Sequence, residues 1–449
     1  MSKGSSHKGH ASRRDKSFAV APTSLGYASN SEQSEMEAIM SYDFTTRLDR
    51  RRSGSYKWND MLDKNPNVAR GIVPLSVADM EFVNPPEIIE ALHEWLDDAV
   101  LGYAAPTDEF FDAVVDWQRR RHLWPADRRF VVTTSGVVPA LYTAVRSLTD
   151  INDAVICQTP VYGPFTNAVE VSGRKLLANS LRLVEDAEKS GSHRFEMDFD
   201  DLRAKAEDPS TKMLLLCNPH NPVGRAWSAD ELRRLLDICV ENDVIVVSDE
   251  IHGDIVMPGQ KHTSIMQVAD AGEYDHVMVL TAPSKTFNIA GCQASVAFVP
   301  DDELRKRFST GLKIQGVFGL NSFAYPATIA AYTRCDKWLE ELNQVVWENY
   351  VFLKGFFASY MPEVEVFPLE ATYLAWLDFR AWGLTAAELE QFMQTEALLF
   401  LDEGYVFGQE GAGFERINLA CPRGVLEEAL ERLAFAARER KLGTYGGNA

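Results

Sequence analysis

The sequence has few cysteines, and no two of them lie close together in the sequence. No CxxC pair occurs, and the spacing matches no zinc site, so we expect no metal centre. Cysteines scattered through apolar runs are typical of small core residues in a reducing compartment. The six positions are Cys157, Cys217, Cys239, Cys292, Cys335 and Cys421.

Excess positive charge and long apolar runs are also missing. The chain has 45 basic and 65 acidic residues, a net charge of −20, which argues against broad binding of nucleic acid or an anionic membrane. No segment approaches the roughly 20 apolar residues that span a bilayer, and the polar N-terminus lacks the apolar stretch of a secretory signal. We therefore expect a cytoplasmic protein that binds neither nucleic acid nor membranes.

Length and composition predict a folded protein with more than one domain. A chain of 449 residues exceeds what one compact core usually holds, and 46% hydrophobic content is ordinary for a globular protein. The polar stretch 1–40 predicts a disordered tail. The remainder divides into an N-terminal arm at 41–84 that contributes to the small domain, a large domain at 85–325 and a small α+β domain at 326–449.

From residue 110 onward, apolar runs alternate with amphipathic stretches. This alternation predicts an α/β fold with a mainly parallel sheet. Capping boxes at Ser228/Glu231 and Thr385/Glu388 predict two helix starts. The candidate strands are Phe130–Thr133, Ala154–Cys157, Met213–Cys217, Val244–Ser248, Val277–Thr281, Ala294–Val299, Thr372–Leu377 and Phe414–Leu419.

Three further elements are predicted from local pattern. Pro74–Phe82 is expected to form a short strand ending in a loop. Asn84 is expected to cap the next helix, with Pro85 at its first position. A long helical stretch is expected from about residue 323 through Tyr360, and Val425–Lys441 closes the chain as another helix.

Unusual groups follow several of the predicted strands, where ligands bind in open α/β sheets. Thr134-Ser-Gly-Val137 leads from a strand into a helix, and its small residues let backbone amides surround an anion, although many strand-to-helix turns look alike. Tyr162 follows the next strand. Its ring could stack on a flat ligand or merely pack.

Three later strands carry more specific groups. Asn221 lies in a rigid loop with two prolines, so its amide can face a polar target. Asp249 directly follows the apolar run Val244–Val247, where a carboxylate is costly to bury without a cation, unless it caps a turn. His252 alone would more often be an ordinary polar residue. Lys285 lies just past a buried strand, either as a solvated loop residue or as an amine that forms a Schiff base.

Together these groups predict the cofactor. They supply an anion cradle, a stacking ring, an amide for an oxygen, a carboxylate for a cationic nitrogen and an amine for an aldehyde. Pyridoxal 5′-phosphate needs a Schiff-base lysine and an acidic partner for its ring nitrogen. That match favours the functional interpretation of Lys285 over the solvated one.

Several motifs resemble a known family. Asn218-Pro-His-Asn-Pro-Val-Gly224, Ser248-Asp-Glu-Ile-His252 and Ser284-Lys-Thr-Phe-Asn288 resemble the fold-type I pyridoxal-phosphate enzymes of the aminotransferase class I/II superfamily. Val77-Ala-Asp-Met-Glu-Phe82 and Arg416-Ile-Asn-Leu-Ala-Cys-Pro-Arg423 are similar to its PatB/MalY-type cystathionine β-lyases. The resemblance runs from about residue 42 to about residue 441. It implies a large domain with a mainly parallel sheet flanked by helices, and a smaller C-terminal domain.

The resemblance implies roles for the residues around the cofactor ring. Lys285 would be the catalytic residue and form the Schiff base with the cofactor. Asp249 would pair with the ring nitrogen, Asn221 would bond the ring hydroxyl oxygen, and Tyr162 would stack on the ring.

It also implies contacts for the phosphate and the substrate. The amides of Gly136 and Val137, with Ser284, would surround the phosphate. Arg416 would hold the substrate carboxylate in a two-pronged pair. The superfamily site lies at a homodimer interface, so Tyr103 would reach the phosphate of the neighbouring subunit.

Two positions depart from the aminotransferase pattern. Gln293 stands where aminotransferases usually carry a phosphate-binding arginine, eight residues after the lysine. His252 stands where they often carry a tyrosine, and we assign it to the cofactor-binding group. Both changes favour the carbon–sulfur lyase branch, although they leave the phosphate one cation short.

The expected reaction is β-elimination from a cysteine S-conjugate such as L-cystathionine, which yields a thiol, pyruvate and ammonia. In it, Lys285 removes the Cα proton as general base. One alternative with the same cofactor is an aminotransferase. Another is a regulatory or partner-binding protein that keeps the fold, because fold alone does not determine function.

Overall fold

The structure is a computed structural model that describes residues 40–186 and 191–446. Nearly all of the predicted disordered tail, 1–40, lies outside the described residues. Tyr42–Ala449 forms one compact unit, within which the predicted boundaries at 84 and 325 stay a prediction. In the part of the chain that is described, no helix combines the length and apolar character needed to cross a membrane.

A mixed sheet organises the larger part of the described chain, with strand order β1-β9-β8-β7-β6-β2-β3. Only β9 runs against its neighbours; the other adjacent strands are parallel, so the carboxyl ends of β1, β2, β6, β7 and β8 share one edge. The predicted α/β class is therefore confirmed. Its strands are β1 Val131–Thr134, β2 Ala154–Cys157, β3 Lys175–Ala178, β6 Thr211–Cys217, β7 Ile245–Asp249, β8 Val277–Thr281 and β9 Ser295–Phe298.

Amphipathic helices cover this sheet. The helix Ala229–Glu241 begins at the predicted capping box of Ser228 and Glu231, and the side chains that it buries include Leu232, Leu235, Leu236 and Cys239. Burial of such side chains is the main stabilising contribution of the layer. The helices are Tyr56–Lys64, Pro86–Asp98, Asp108–Arg121, Val137–Leu148, Pro164–Glu170, Phe199–Ala206, Ala229–Glu241, Ile265–Val268, Pro283–Thr286, Asp302–Ile314, Ala324–Arg334, Asp336–Tyr360, Ala386–Thr395 and Arg423–Arg440.

A smaller antiparallel sheet follows in the C-terminal part, with order β10-β11-β13-β12. Arg416 of β13 pairs with Trp376 on one side and Asp402 on the other. The predicted capping box of Thr385 and Glu388 also forms. The strands are β10 Glu365–Val366, β11 Leu374–Asp378, β12 Asp402–Glu403 and β13 Phe414–Asn418, and a separate hairpin pairs β4 Arg182–Glu185 with β5 His193–Glu196.

Two local predictions are wrong. Pro74–Phe82 forms no regular strand: the Leu75 carbonyl accepts from the Asn418 amide at the end of β13, but the amides of Val77 and Met80 donate to the side chains of Asp402 and Asn288. Asn84 does not cap the helix Pro86–Asp98; Pro85 takes the cap position, and the Asn84 amide donates to two carbonyls near residue 287. The predicted long helical stretch is confirmed, and it consists of the helices Ala324–Arg334 and Asp336–Tyr360 with one break at Cys335.

Candidate active site

Lys285 lies just past the carboxyl end of β8, on the four-residue helix Pro283–Thr286. Its Nζ donates a hydrogen bond to the carbonyl of Ala78 at 2.7 Å. Burial lowers the pKa of the Lys285 amine to about 8; the carboxylate of Asp79 raises this pKa, and the guanidinium of Arg416 lowers it further. A neutral, nucleophilic amine is therefore accessible near neutral pH.

Asp249 ends β7 at the same edge, with Cys217 of β6 and Leu280 of β8 as its register neighbours. The residue is 6% exposed, and its Oδ1 accepts a hydrogen bond from the Ile251 amide at 3.1 Å. Burial raises the pKa of the carboxyl to about 7, against the opposing effects of that amide and of Lys285. An acid in this position gains from a bound cation, because a cation offsets its desolvation.

Asn221 and Arg416 meet beside Asp249, although they are far apart in the sequence. The Nη1 of Arg416 donates to Asn221 Oδ1 at 2.6 Å, while its Nε and Nη2 donate to Asp402 Oδ2 at 3.1 and 2.6 Å. The guanidinium lies over the ring of Phe407, 4.6 Å from its centroid. The smaller sheet thus contributes a buried cation to the edge of the larger one.

Tyr162 and His252 complete the described wall of the site. The amide of Tyr162 donates to the carbonyl of Asn221 at 3.2 Å, and the residue is 37% exposed. His252 is buried, and its Nδ1 has no partner among the described residues. Burial, with the positive charges of Lys285 and Arg416, lowers the pKa of His252 to about 3, so its ring is neutral. A buried polar atom without a partner indicates a place for a bound group.

The turn after β1 can hold an anion. Gly136 has φ 153°, and a Cβ there would meet Pro139 Cδ at 3.2 Å. The helix that follows begins at Val137 without a side-chain cap, which leaves its first amides available. Ser284 Oγ donates to the Ala294 carbonyl at 3.4 Å, next to the strand that pairs with β1, so this hydroxyl lies toward the same turn.

Two predicted positions stand apart from this contact network within one chain. The side chain of Tyr103 is fully exposed, on a loop whose Gly102 carbonyl accepts a hydrogen bond from Ser322. Gln293 is exposed and has a left-handed backbone with φ 50°.

The local sequence pattern did not predict that the segment Val77–Phe82, here called the strap, contacts Lys285. Val77 has φ 55°, a strained value for a β-branched residue, and it presents the Ala78 carbonyl to Lys285. Its amide donates to Asp402 Oδ2 at 2.9 Å, and Asn418 Nδ2 donates to its carbonyl at 2.8 Å. The motif Val77–Phe82 contributes to the family resemblance, but a local sequence pattern does not reveal hydrogen-bond partners more than 300 residues away.

Two acids of the segment Val77–Phe82 and one nearby tyrosine have structural partners. Asp79 accepts a hydrogen bond from Arg50 at 2.9 Å, and Glu81 pairs with Arg50 and with the buried Lys57, both at 3.0 Å. Tyr373 packs edge-on against His252, with centroids 5.8 Å apart. These contacts fix the strap and the side chain of His252 in place.

The chemistry of the whole group fits pyridoxal 5′-phosphate. An amine with a lowered pKa suits an aldehyde, a buried carboxylate suits a protonated ring nitrogen, and an uncapped helix start suits a phosphate. The fold and this site define an α/β protein with a lysine-centred site at the carboxyl edge of its sheet. Residues 70–433 match the model of the family described as aminotransferase class I and II, and the chain belongs to that family.

Known proteins resemble this chain over nearly its full described length. It is 41% identical to cystathionine β-lyase PatB of Bacillus subtilis over 396 residues, 88% of this chain and 99% of that protein. It superposes on cystalysin from Treponema denticola, whose crystal structure contains pyridoxal 5′-phosphate, with a TM-score of 0.86 and 43% identity, covering 90% and 100% of the two chains. It also superposes on the pyridoxal-phosphate-bound C–S lyase from Staphylococcus hominis with a TM-score of 0.80 and 30% identity, covering 89% of this chain and 99% of that chain.

Proposed function

We propose that this protein is a pyridoxal 5′-phosphate-dependent carbon–sulfur β-lyase. It cleaves L-cystathionine or related cysteine S-conjugates to a thiol, pyruvate and ammonia; from cystathionine the thiol is homocysteine. The observation that carries the proposal is the pair of Lys285 and Asp249, a half-buried amine with a lowered pKa and a buried acid with a raised pKa, at the ends of neighbouring strands. The similarity to PatB and cystalysin supports the choice of reaction.

The cofactor, when bound, withdraws electrons from the substrate Cα and so stabilises negative charge there. We assign its aldehyde to Lys285, its ring nitrogen to Asp249 and its ring oxygen to Asn221, whose Oδ1 already accepts from Arg416. Tyr162 would stack on the ring, and the buried Nδ1 of His252, which has no partner among the described residues, would be available to the bound group. The Gly136–Val137 turn and Ser284 would hold the phosphate.

The residues of the chain bind the substrate and move its proton. Arg416 holds the α-carboxylate through two parallel hydrogen bonds, a geometry that arginine provides and lysine does not. Lys285 takes the Cα proton on Nζ. The electron pair of the broken Cα–H bond forms the Cα–Cβ double bond as the Cβ–S bond breaks, and the leaving thiolate takes the proton from Nζ to become the thiol. The remaining fragment takes up water and gives pyruvate and ammonia.

A direct assay tests this function. The cofactor-loaded protein is incubated with L-cystathionine, L-cystine and S-methylcysteine without any keto acid, and pyruvate and free thiol are measured. We expect equal amounts of both products from at least one substrate. Product formation that depends strictly on an added keto acid would contradict the lyase function and identify an aminotransferase.

We also propose that two chains share their active sites in a homodimer in the cytoplasm. Apolar side chains lie exposed on two loops joined by the Ser322–Gly102 hydrogen bond: Val100 and Leu101 on one, Phe318 on the other. Tyr103 on the first loop is then free to contact the phosphate of the neighbouring subunit. Sedimentation analysis tests the dimer. Restored activity on mixing Tyr103→Ala and Lys285→Ala chains tests the shared site.

A further inference from the structure

A second buried carboxylate lies behind Lys285 and has no role in the proposed reaction. Asp254 closes the turn that begins at Asp249, and its side chain is 7% exposed. Its Oδ1 accepts hydrogen bonds from Trp117 Nε1 and His122 Nε2, both at 2.9 Å, and its Oδ2 accepts from Thr286 Oγ1 at 2.6 Å. Three side-chain donors therefore converge on one acid.

Thr286 is the residue directly after Lys285. The helix that carries both, Pro283–Thr286, has four residues, and so short a helix is not stable by itself. Its orientation must come from tertiary contacts. The bond from Thr286 to Asp254 ties the backbone next to Lys285 to the turn that follows Asp249.

Asp254 is itself held by two long helices. Trp117, from the helix Asp108–Arg121, is fully buried and stacks on Tyr332 at 4.7 Å. On the other side, Asn343 Nδ2 of the helix Asp336–Tyr360 donates to the Asp254 carbonyl at 3.1 Å. Although burial acts to raise it, the bonds from His122, Thr286 and Trp117 hold the pKa of Asp254 below its ordinary value, so the acceptor is charged. Hydrogen bonds to a charged acceptor are the stronger kind.

We propose that Asp254 and Thr286 are positioning residues that hold Lys285 at its working distance from Asp249. The inference rests on the proposed function of Lys285. A lysine amine at the end of a flexible side chain reacts well only if its backbone is held in place, since a misplacement of about 1 Å can lower a rate by about 100-fold. The Asp254–Thr286 bond restrains the backbone next to Lys285, while the Ala78 carbonyl restrains its Nζ.

Thr286→Val tests the proposal because it removes the hydroxyl and keeps the shape. We expect kcat for pyruvate release to fall about tenfold while KM changes less than about twofold, since the substrate carboxylate is held elsewhere. We also expect the pH midpoint of the absorbance titration of the Lys285–cofactor Schiff base to shift. Thr286→Ser, which keeps the hydroxyl, should restore both values.

A control variant and a hydrogen-exchange measurement distinguish a loss of positioning from a loss of folding and from a failure of the lyase function. Thr333→Val removes an exposed hydroxyl that donates to a helix carbonyl, and it should leave every value unchanged. Hydrogen exchange of residues 283–293 in the cofactor-free protein should be faster in Thr286→Val, or in Thr286→Ala if the valine variant does not fold. Unchanged exchange and an unchanged titration in the variant, or a serine variant as impaired as the valine one, would overturn the proposal. A wild-type protein that forms the Schiff base but releases no pyruvate would contradict only the lyase function.

Discussion

Asp249 and Asp254 begin and end one short turn, yet their surroundings are opposite. Asp249 is 6% exposed, accepts a hydrogen bond from one backbone amide, and has a pKa raised to about 7. The Asp254 side chain is 7% exposed, accepts hydrogen bonds from three side chains, and has a pKa below its ordinary value. Similar burial therefore gives opposite charge preferences, because the donors differ.

The difference separates a structural acid from a ligand-binding acid. A buried carboxylate is costly unless hydrogen bonds or a cation offset the desolvation, and the protein supplies those bonds to Asp254. The same holds for Glu250, next to Asp249, which accepts from Ser248 and Ile265 at 2.9 Å and from His262 at 3.3 Å. The Asp249 carboxylate has only one hydrogen-bond donor among the described residues, and a protonated ring nitrogen would supply another.

The largest expected effect comes from removing the cation that faces Asp249. Lys285→Ala eliminates both the Schiff base and the general base, so we expect pyruvate release to fall about 1,000-fold or more. The measurement is pyruvate formation from cystathionine, with Lys313→Ala on an exposed helix face as the control. Substantial residual turnover in the Lys285 variant would remove Lys285 from the catalytic role.

The difference between Asp249 and Asp254 is tested directly by replacing each aspartate with asparagine. Asp249→Asn should lower kcat about 100-fold, because a neutral amide does not keep the ring nitrogen protonated. Asp254→Asn should lower kcat less, through the loosened Lys285, and should lower the melting temperature of the cofactor-free protein more, because an amide cannot accept from all three donors. A thermal scan and a kinetic assay on both variants are sufficient. Equal losses of activity and stability in the two would break the distinction.

Arg416→Lys tests the cation that the smaller sheet contributes. Lysine keeps the charge beside Asp402 but loses the fork that bonds Asn221 and Asp402 at once. We expect KM for cystathionine to rise about tenfold, with a smaller change in kcat, because the lost interaction is substrate binding. Arg307→Lys, on an exposed helix face, is the matched control. An unchanged KM would assign the substrate carboxylate to another residue.

The last expected effect concerns stability instead of activity, and it is the pH dependence of unfolding of the cofactor-free protein. Because folding raises the pKa of Asp249 from 3.8 to about 7, the folded state binds a proton that the unfolded state releases. Stability should therefore fall as pH rises from about 4 to 7, by up to about 1.4 kcal/mol per pH unit from this group. Urea unfolding of wild type and Asp249→Asn measures it, and the variant should lack this component.

Asp254 should behave in the opposite way. Folding lowers its pKa, so its contribution is present above the ordinary carboxyl pKa and is lost as pH falls through the folded value. The destabilisation in Asp254→Asn should accordingly shrink in acid. A deficit that grows in acid would contradict the hydrogen-bond assignment.

Much of the architecture could be predicted because its signals are local. The strands Ala154–Cys157 and Val277–Thr281 have the predicted bounds, and both capping boxes form. Apolar runs followed by turn residues mark where strands end, and parallel strands end at one edge of a sheet. The positions of Asp249 and Lys285 at that edge follow from this rule, while the roles of the site residues and the domain boundaries stay predictions.

What the sequence determined by itself is the alternation of strands and helices, together with the kinds of group that follow each strand. Only the tertiary structure decided which of these groups meet. The bond from Arg416 to Asn221 spans 195 residues, and that from Val77 to Asp402 spans 325. It also decided that Asp249 is left short of donors while Asp254 is fully bonded. Local pattern shows that a carboxylate follows a strand, but the pKa of that carboxylate depends on every donor and charge that the folded chain brings near it.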